Sequence, residues 1–240
     1  MPAKVFYRVP FVKLGFVPLP EETKSYGPVG HQALSNEVRD AAENILTGFH
    51  FTKEEYMLNG TGFQMWGHHT YTKSSDDEFG LSVVFRNSYD KSLSVAMSIG
   101  VVDMSTNNLM INGDLIFFRK HTNKIHEDLV PLIRRVIKTQ KDNYNKSFET
   151  IDTLKNTDLC DDEAYKLMGL LYGHKVLTPT QLVVVRKEWE GTRIEQFKTR
   201  NLWSFYNACT YALRGCTPKT IMEKHAMLHK IITTFVMEYI

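Results

Sequence analysis

From Gly60 to Lys120 polar and apolar positions alternate with a period of two, and after Thr122 the apolar positions recur every three to four residues. Alternation places successive side chains on opposite faces of a strand, whereas the longer spacing lines one face of a helix. The pattern predicts four β runs, at about 62–72, 79–87, 92–103 and 107–119. Between them stand turn-forming groups: Ser74-Ser75-Asp76-Asp77, Asn87-Ser88-Tyr89-Asp90 and Ser105-Thr106-Asn107-Asn108. Connections this short make neighbouring strands antiparallel, hence a meander. Phe79, Leu81, Val83 and Phe85 share one face of their run, and Leu93, Val95, Met97, Ile99 and Val101 share one face of the next. Opposite the latter lie Ser92, Ser94, Ala96, Ser98 and Gly100, small side chains that suit either an open shallow trough or a tightly packed helix.

The flanks carry other periods. Residues 1–30 interleave Phe6, Tyr7, Phe11, Phe16 and Tyr26 with Lys4, Arg8 and Lys13, and Pro10, Pro18 and Pro20 keep this segment out of a central ladder. It is expected to be an extended arm or edge strand. Ser35 offers an N-cap for a helix to about Thr47, closed by Gly48. A long helix is expected from Thr122 to about Ser147, with Ile125, Leu129, Leu132, Ile133, Val136 and Ile137 as its apolar stripe. Further helices are predicted at about 158–172, from Thr178-Pro179-Thr180-Gln181, at about 200–214, and from Thr217-Pro218 to the end. The expected fold is therefore α+β: an antiparallel β-meander of about four strands with an N-terminal arm and helix, followed by a C-terminal bundle of about five helices. Three segments follow: the arm at 1–30, the sheet with flanking helices at 31–147, and a helical region at 148–240 packed with the sheet as one unit.

Composition narrows the class. Hydrophobic residues make up 42% and charged residues 23%, which excludes a disordered chain. The longest apolar stretches, such as Ser94 to Val102, are far shorter than the roughly 20 residues of a spanning helix, so no membrane partner is expected. No apolar core or small-residue cleavage site follows the first residues, so no secretory signal is expected. Cys160, Cys209 and Cys216 form no C-x-x-C pair, which fits a reducing compartment, the cytoplasm.

The total charge of +2 conceals two opposed segments. Between Arg119 and Lys146 eight basic residues face three acids, a local charge of +5, whereas Glu149 to Glu163 holds six acids against Lys155, a charge of −5. The basic stretch suits either a solvated helix face or a stripe that binds a polyanion.

Catalytic motifs are missing. His68 and His69 are adjacent on a predicted strand and point to opposite faces, so they cannot share a metal ion. His225 and His229 stand four apart on a helix without the carboxylate of an H-E-x-x-H pattern. No phosphate-binding glycine loop or G-x-S-x-G occurs, and Cys209 reads as a buried thiol. The chain is expected to be no enzyme and to carry no cofactor or metal.

What accumulates instead is rings beside cations. Single-stranded nucleic acid exposes both phosphates and base faces, and its binders combine a positive groove with aromatic platforms. The candidate phosphate contacts are Arg86, Lys91, Arg119, Lys120, Lys124, Arg134 and Arg135; the candidate stacking platforms are Trp66, Tyr71 and Tyr89. Phe85 and Phe117 are expected in the core. The segment Asn87 to Asp90 has a competing structural reading, in which its polar side chains satisfy turn backbone groups and Arg86 pairs with Asp90. A charge of +5 is modest for one protomer, so several copies on one strand are expected.

Three segments carry a resemblance: Arg86-Asn87-Ser88-Tyr89-Asp90-Lys91-Ser92, Arg119-Lys120-His121-Thr122, and Trp203-Ser204-Phe205-Tyr206-Asn207-Ala208-Cys209-Thr210, with Glu188-Trp189 between the last two. In order and type they resemble a phage- and plasmid-borne family of unknown function with the patterns R-N-S-x-D-K-S, R-x-H-T and W-S-x-x-N-A-x-T. The chain departs from that family in its short length and its amino-terminal arm. It is also similar to the single-stranded-DNA-binding cofactors of the middle RNA polymerase in N-four-like podophages. That likeness implies a protein of the host cytoplasm that keeps single strands accessible to a phage RNA polymerase, in transcription and replication. A strand-annealing recombination protein, or a phage protein that binds a host factor, would present similar elements.

Overall fold

The computed structural model describes residues 6–73, 78–192 and 194–239. Lys4 and the turn expected at 74–77 lie outside the described residues. In chain order the elements are β1 (Phe6–Val9), a 3₁₀ turn at Phe11–Phe16, α1 (His31–Ile45), β2 (Phe49–Asn59), β3 (Gln64–Lys73), β4 (Phe79–Ser88), β5 (Val95–Asp103) and β6 (Asn108–Arg119). The helices α2 (Ile125–Asn156), α3 (Asp161–Gly173), α4 (Pro179–Gly191), α5 (Leu202–Leu213) and α6 (Ile221–Tyr239) follow, with a 3₁₀ turn at Glu195–Phe197 between α4 and α5. The fold is mixed α+β, and its sheet runs in the order β1-β2-β3-β4-β5-β6. The meander thus has six strands, not four.

The two additional strands are β1 and β2. Strand β2 escapes a period-two reading because the register slips between Phe51 and Lys53. Phe51 pairs with Tyr71, whereas Glu54 pairs with His69 and Tyr56 with Gly67, so the inward set changes from odd to even positions within one strand. The run Lys53-Glu54-Glu55 further masks it.

Register assigns the faces of the centre. On one lie Tyr56, Leu58, Met65, His69, Tyr71, Leu81, Val83, Phe85, Met97, Ile99 and Val101. Helix α1 packs against β2 and β3 and buries Leu34, Val38, Ala41 and Ala42. On the other lie Trp66, His68, Thr70, Ser82, Val84, Arg86, Ala96, Ser98 and Gly100. Ala96, Ser98 and Gly100 are buried, so the small-residue face is a packed surface and not an open trough.

Helix α1 starts four residues before the expected cap. Gly30 precedes its first residue and supplies no side-chain cap; the N–H of His31 donates instead to the Tyr89 hydroxyl at 2.8 Å. Tertiary contact therefore satisfies an end that a local cap usually serves. Ser35 lies inside the helix, its Oγ 2.7 Å from the Tyr56 hydroxyl. The other expected helices are present, with α2 extending to Asn156 and α3 opening at Asp161.

The chain forms two compact units. One comprises residues 1–105 and 115–142, the other 106–114 and 143–240. The division expected after residue 147 falls within α2, and the start of β6 belongs with the helices. Its attachments there are specific: Asn108 Nδ2 donates to Asn207 Oδ1 at 2.8 Å, Arg214 donates to Asn108 Oδ1 at 2.8 Å, and His225 Nδ1 meets the Leu109 carbonyl at 3.1 Å. In this second unit the Thr178–Gln181 capping box forms as the sequence predicts, Thr178 N–H donating to Gln181 Oε1 at 3.0 Å. Helix α5 is buried at every position except Tyr211 and packs against α4 and α6.

Candidate nucleic-acid interface

The Arg86–Ser92 segment closes β4 and turns toward β5, and its side chains brace the first unit from within. Asn87 is fully buried; its Nδ2 donates to the Val29 carbonyl at 2.6 Å and to His31 Nδ1 at 3.0 Å. The Gly62 carbonyl, 3.1 Å from His31 Nε2, can only accept, so Nε2 carries the imidazole proton and Nδ1 is the acceptor for Asn87. Burial lowers the His31 pKa to about 4 and keeps the ring neutral. The Tyr89 ring stacks on it at 3.8 Å with a 4° interplanar angle. Tyr26 donates its hydroxyl to the Tyr89 carbonyl at 3.2 Å. Ser88 Oγ donates to the Leu93 carbonyl at 2.9 Å and accepts from the Leu93 N–H at 3.0 Å. Asp90 accepts from Ser92 N–H at 3.0 Å and from Gln64 Nε2 at 2.9 Å. Lys91 occupies the left-handed region (φ 58°) and sets its Nζ 4.3 Å from the Tyr26 ring centroid.

The second motif meets the first through the arm. Gly27 N–H donates to the His121 carbonyl at 3.3 Å, and the Tyr26 and His121 rings lie 5.7 Å apart. Arg119 is half-buried, pairs with Asp128 and reaches Thr122 Oγ1 at 3.4 Å. The third motif is buried in α5, where Asn207 Nδ2 donates to the Trp203 carbonyl at 2.9 Å.

Burial corrects four expected contacts. Trp66, Tyr71 and Tyr89 are 7%, 1% and 5% exposed, and a buried ring has no free face for a base. Arg86 is 5% exposed with its guanidinium 5.3 Å from the Phe118 ring centroid, so it is not presented to solvent. The reasons are local. Tyr89 turns inward onto His31, and Tyr71 lies on the α1 face edge-on to Phe51. Trp66 and Arg86 pair across β3 and β4 on the packed small-residue face. Phe85 and Phe117 are buried, as expected.

The remaining cations face solvent. Lys91, Lys120, Lys124, Arg134 and Arg135 are exposed, as is Lys138. Lys124, Arg135 and Lys138 recur at helical spacing with Arg134 beside them, a cationic face about 21 Å long at 1.5 Å per residue. Glu127 is the exposed acid on this stretch. Lys141 continues the row but is partly engaged, its Nζ donating to Thr47 Oγ1 at 2.8 Å. The outward rings of this unit include Tyr7, Phe16, Phe63 and Phe118, none of them among the expected platforms.

The buried histidines serve packing. His69 Nε2 lies 2.7 Å from the Tyr56 hydroxyl and 3.2 Å from Ser35 Oγ, and burial lowers its pKa to about 3. Tyr56 also donates to Glu54 at 3.0 Å, which Arg39 holds at 2.7 Å, and burial raises the Tyr56 pKa. His68 points the other way, 2.8 Å from Ser82 Oγ, as adjacent strand positions require. Burial also raises the Cys209 thiol pKa, which suppresses its thiolate. Among the described residues no three His, Cys, Asp or Glu side chains gather as a metal site requires. No helix is long and apolar enough to cross a membrane among the described residues. No protein-family model, curated protein or solved structure matches the chain.

Proposed function

We propose that this protein binds single-stranded DNA without sequence preference, as a non-enzymatic phage protein of the host cytoplasm. It keeps unpaired strands accessible to a phage RNA polymerase and acts in replication as well, with several copies on one strand. The observation that carries the reading is the solvent-facing row formed by Lys124, immediately before α2, and Arg134, Arg135 and Lys138 on its first half, with Lys120 preceding them. A rigid helix holding cations along about 21 Å attracts a phosphate backbone and releases its counterions. The likeness of the Arg86–Ser92 and Arg119–Thr122 segments to phage proteins supports the setting.

Gel shift on single- and double-stranded oligonucleotides over a salt series tests this. Replacement of Arg134 and Arg135 by Ala is expected to weaken single-strand binding and flatten the log–log salt slope by about 0.7 per lost contact. Wild-type affinity that does not change with salt would refute it.

A further inference from the structure

Outside α2, the N-terminal arm builds an open groove of about 500 Å³ between β1, the following 3₁₀ turn and the β2–β3 turn. This volume lies within the roughly 300–1,000 Å³ of small-molecule clefts. Tyr7, Arg8, Lys13, Phe16, Leu58 and Gly62 are among its walls. Phe16 is 70% and Tyr7 47% exposed, although both are rings. Lys13 Nζ sits 5.5 Å from the Phe16 centroid. Arg8 lies 3.2 Å from Glu55 with its side chain 79% exposed, and Lys53 shares that carboxylate at 3.4 Å. Arg8 follows Tyr7 on β1, so its side chain turns to the opposite face, toward Glu55, and among the described residues Lys13 is the lining cation beside the rings. Gly62 holds φ +76°, and a Cβ there would stand 3.2 Å from Val17, so the turn forms a close floor.

Flat exposed rings with the positive charge of Lys13 beside them match an unpaired nucleotide, whose base offers a π-face and whose phosphate is anionic. An acidic or proline-rich peptide would use only one half of this equipment. We infer that the arm groove holds one unpaired nucleotide of a single strand, the base against Phe16 or Tyr7 and the phosphate toward Lys13. This rests on the single-strand reading above and places the stacking platforms on the arm, where β1 is the edge strand and Pro10 ends it.

The test uses the full chain and a fifteen-nucleotide oligothymidylate, with 5-iododeoxyuridine at single positions for photo-cross-linking and peptide mapping. Cross-links are expected at Tyr7 or Phe16. Phe16→Ala is expected to bind at least about fivefold more weakly with an unchanged salt slope, and Phe16→Tyr to bind as wild type does. Both side chains are exposed, so circular dichroism should show unaltered folding. If Tyr7→Ala and Phe16→Ala bind within twofold of a wild type that does bind, the groove assignment falls while the α2 reading stands. Cross-links confined to other segments overturn it too. A wild type that ignores the oligomer at low salt removes both.

Discussion

Replacing Asn87 by Ala separates the structural from the functional reading of the Arg86–Ser92 segment. Asn87 is completely buried and donates twice, to the Val29 carbonyl at 2.6 Å and to His31 Nδ1 at 3.0 Å. The variant leaves both acceptors without their donor, inside a layer closed by the stacked Tyr89 ring. An unsatisfied buried group costs about 1–3 kcal/mol, so the pair predicts a loss of about 2–6 kcal/mol. Domains hold only about 5–15 kcal/mol in all. The consequence spreads along the arm, because His31 is the first residue of α1 and its N–H rests on the Tyr89 hydroxyl. Urea unfolding followed by circular dichroism measures the loss, and hydrogen exchange at the His31 amide should accelerate. Lys91→Ala, on the exposed side of the same turn, should cost less than about 0.5 kcal/mol. Single-strand affinity of the folded Asn87→Ala fraction should stay within twofold. Unaltered stability together with a tenfold loss of affinity would refute the brace and make Asn87 a DNA contact.

Acid should destabilise the fold through its buried histidines. His31 and His225 have pKa values lowered to about 4, and His69 to about 3, chiefly by burial, against an ordinary 6.5. As pH falls below about 6.5 the unfolded chain takes up these protons first, so the stability present above 6.5 is lost toward pH 4, at up to about 1.4 kcal/mol per pH unit for each histidine. Urea midpoints between pH 7 and 4.5 check this; His31→Gln should flatten the fall, and an equally steep variant would contradict it. Gly67→Ala should also destabilise, since its Cβ would stand 2.4 Å from Cε2 and Cζ of Phe85, a fully buried ring packed edge-on to Tyr56 and His69. A loss of about 1–3 kcal/mol is expected. Thermal unfolding that matches wild type would show that Phe85 has room to withdraw.

Local pattern alone determined much of this protein. Strands β3 to β6 stand where alternation and turn chemistry predict, because side-chain period and turn preference act over a few neighbouring residues. The Thr178-Pro179 start of α4 and the apolar stripe of α2 were legible for the same reason. So was the row of cations at 124–138, since spacing along a helix fixes which side chains share a face. Tertiary structure decided the rest. The slip at Phe51–Lys53 hid β2, because one additional residue reverses every later inside–outside assignment. The start of α1 depended on a hydroxyl 58 residues away. Alternation also sorts Trp66, Tyr71, Tyr89 and Arg86 onto faces without telling whether a face is covered, and all four proved buried. The edge position of β1 was legible in the prolines of the arm, but its partner was not, because pairing with β2 joins residues about fifty positions apart.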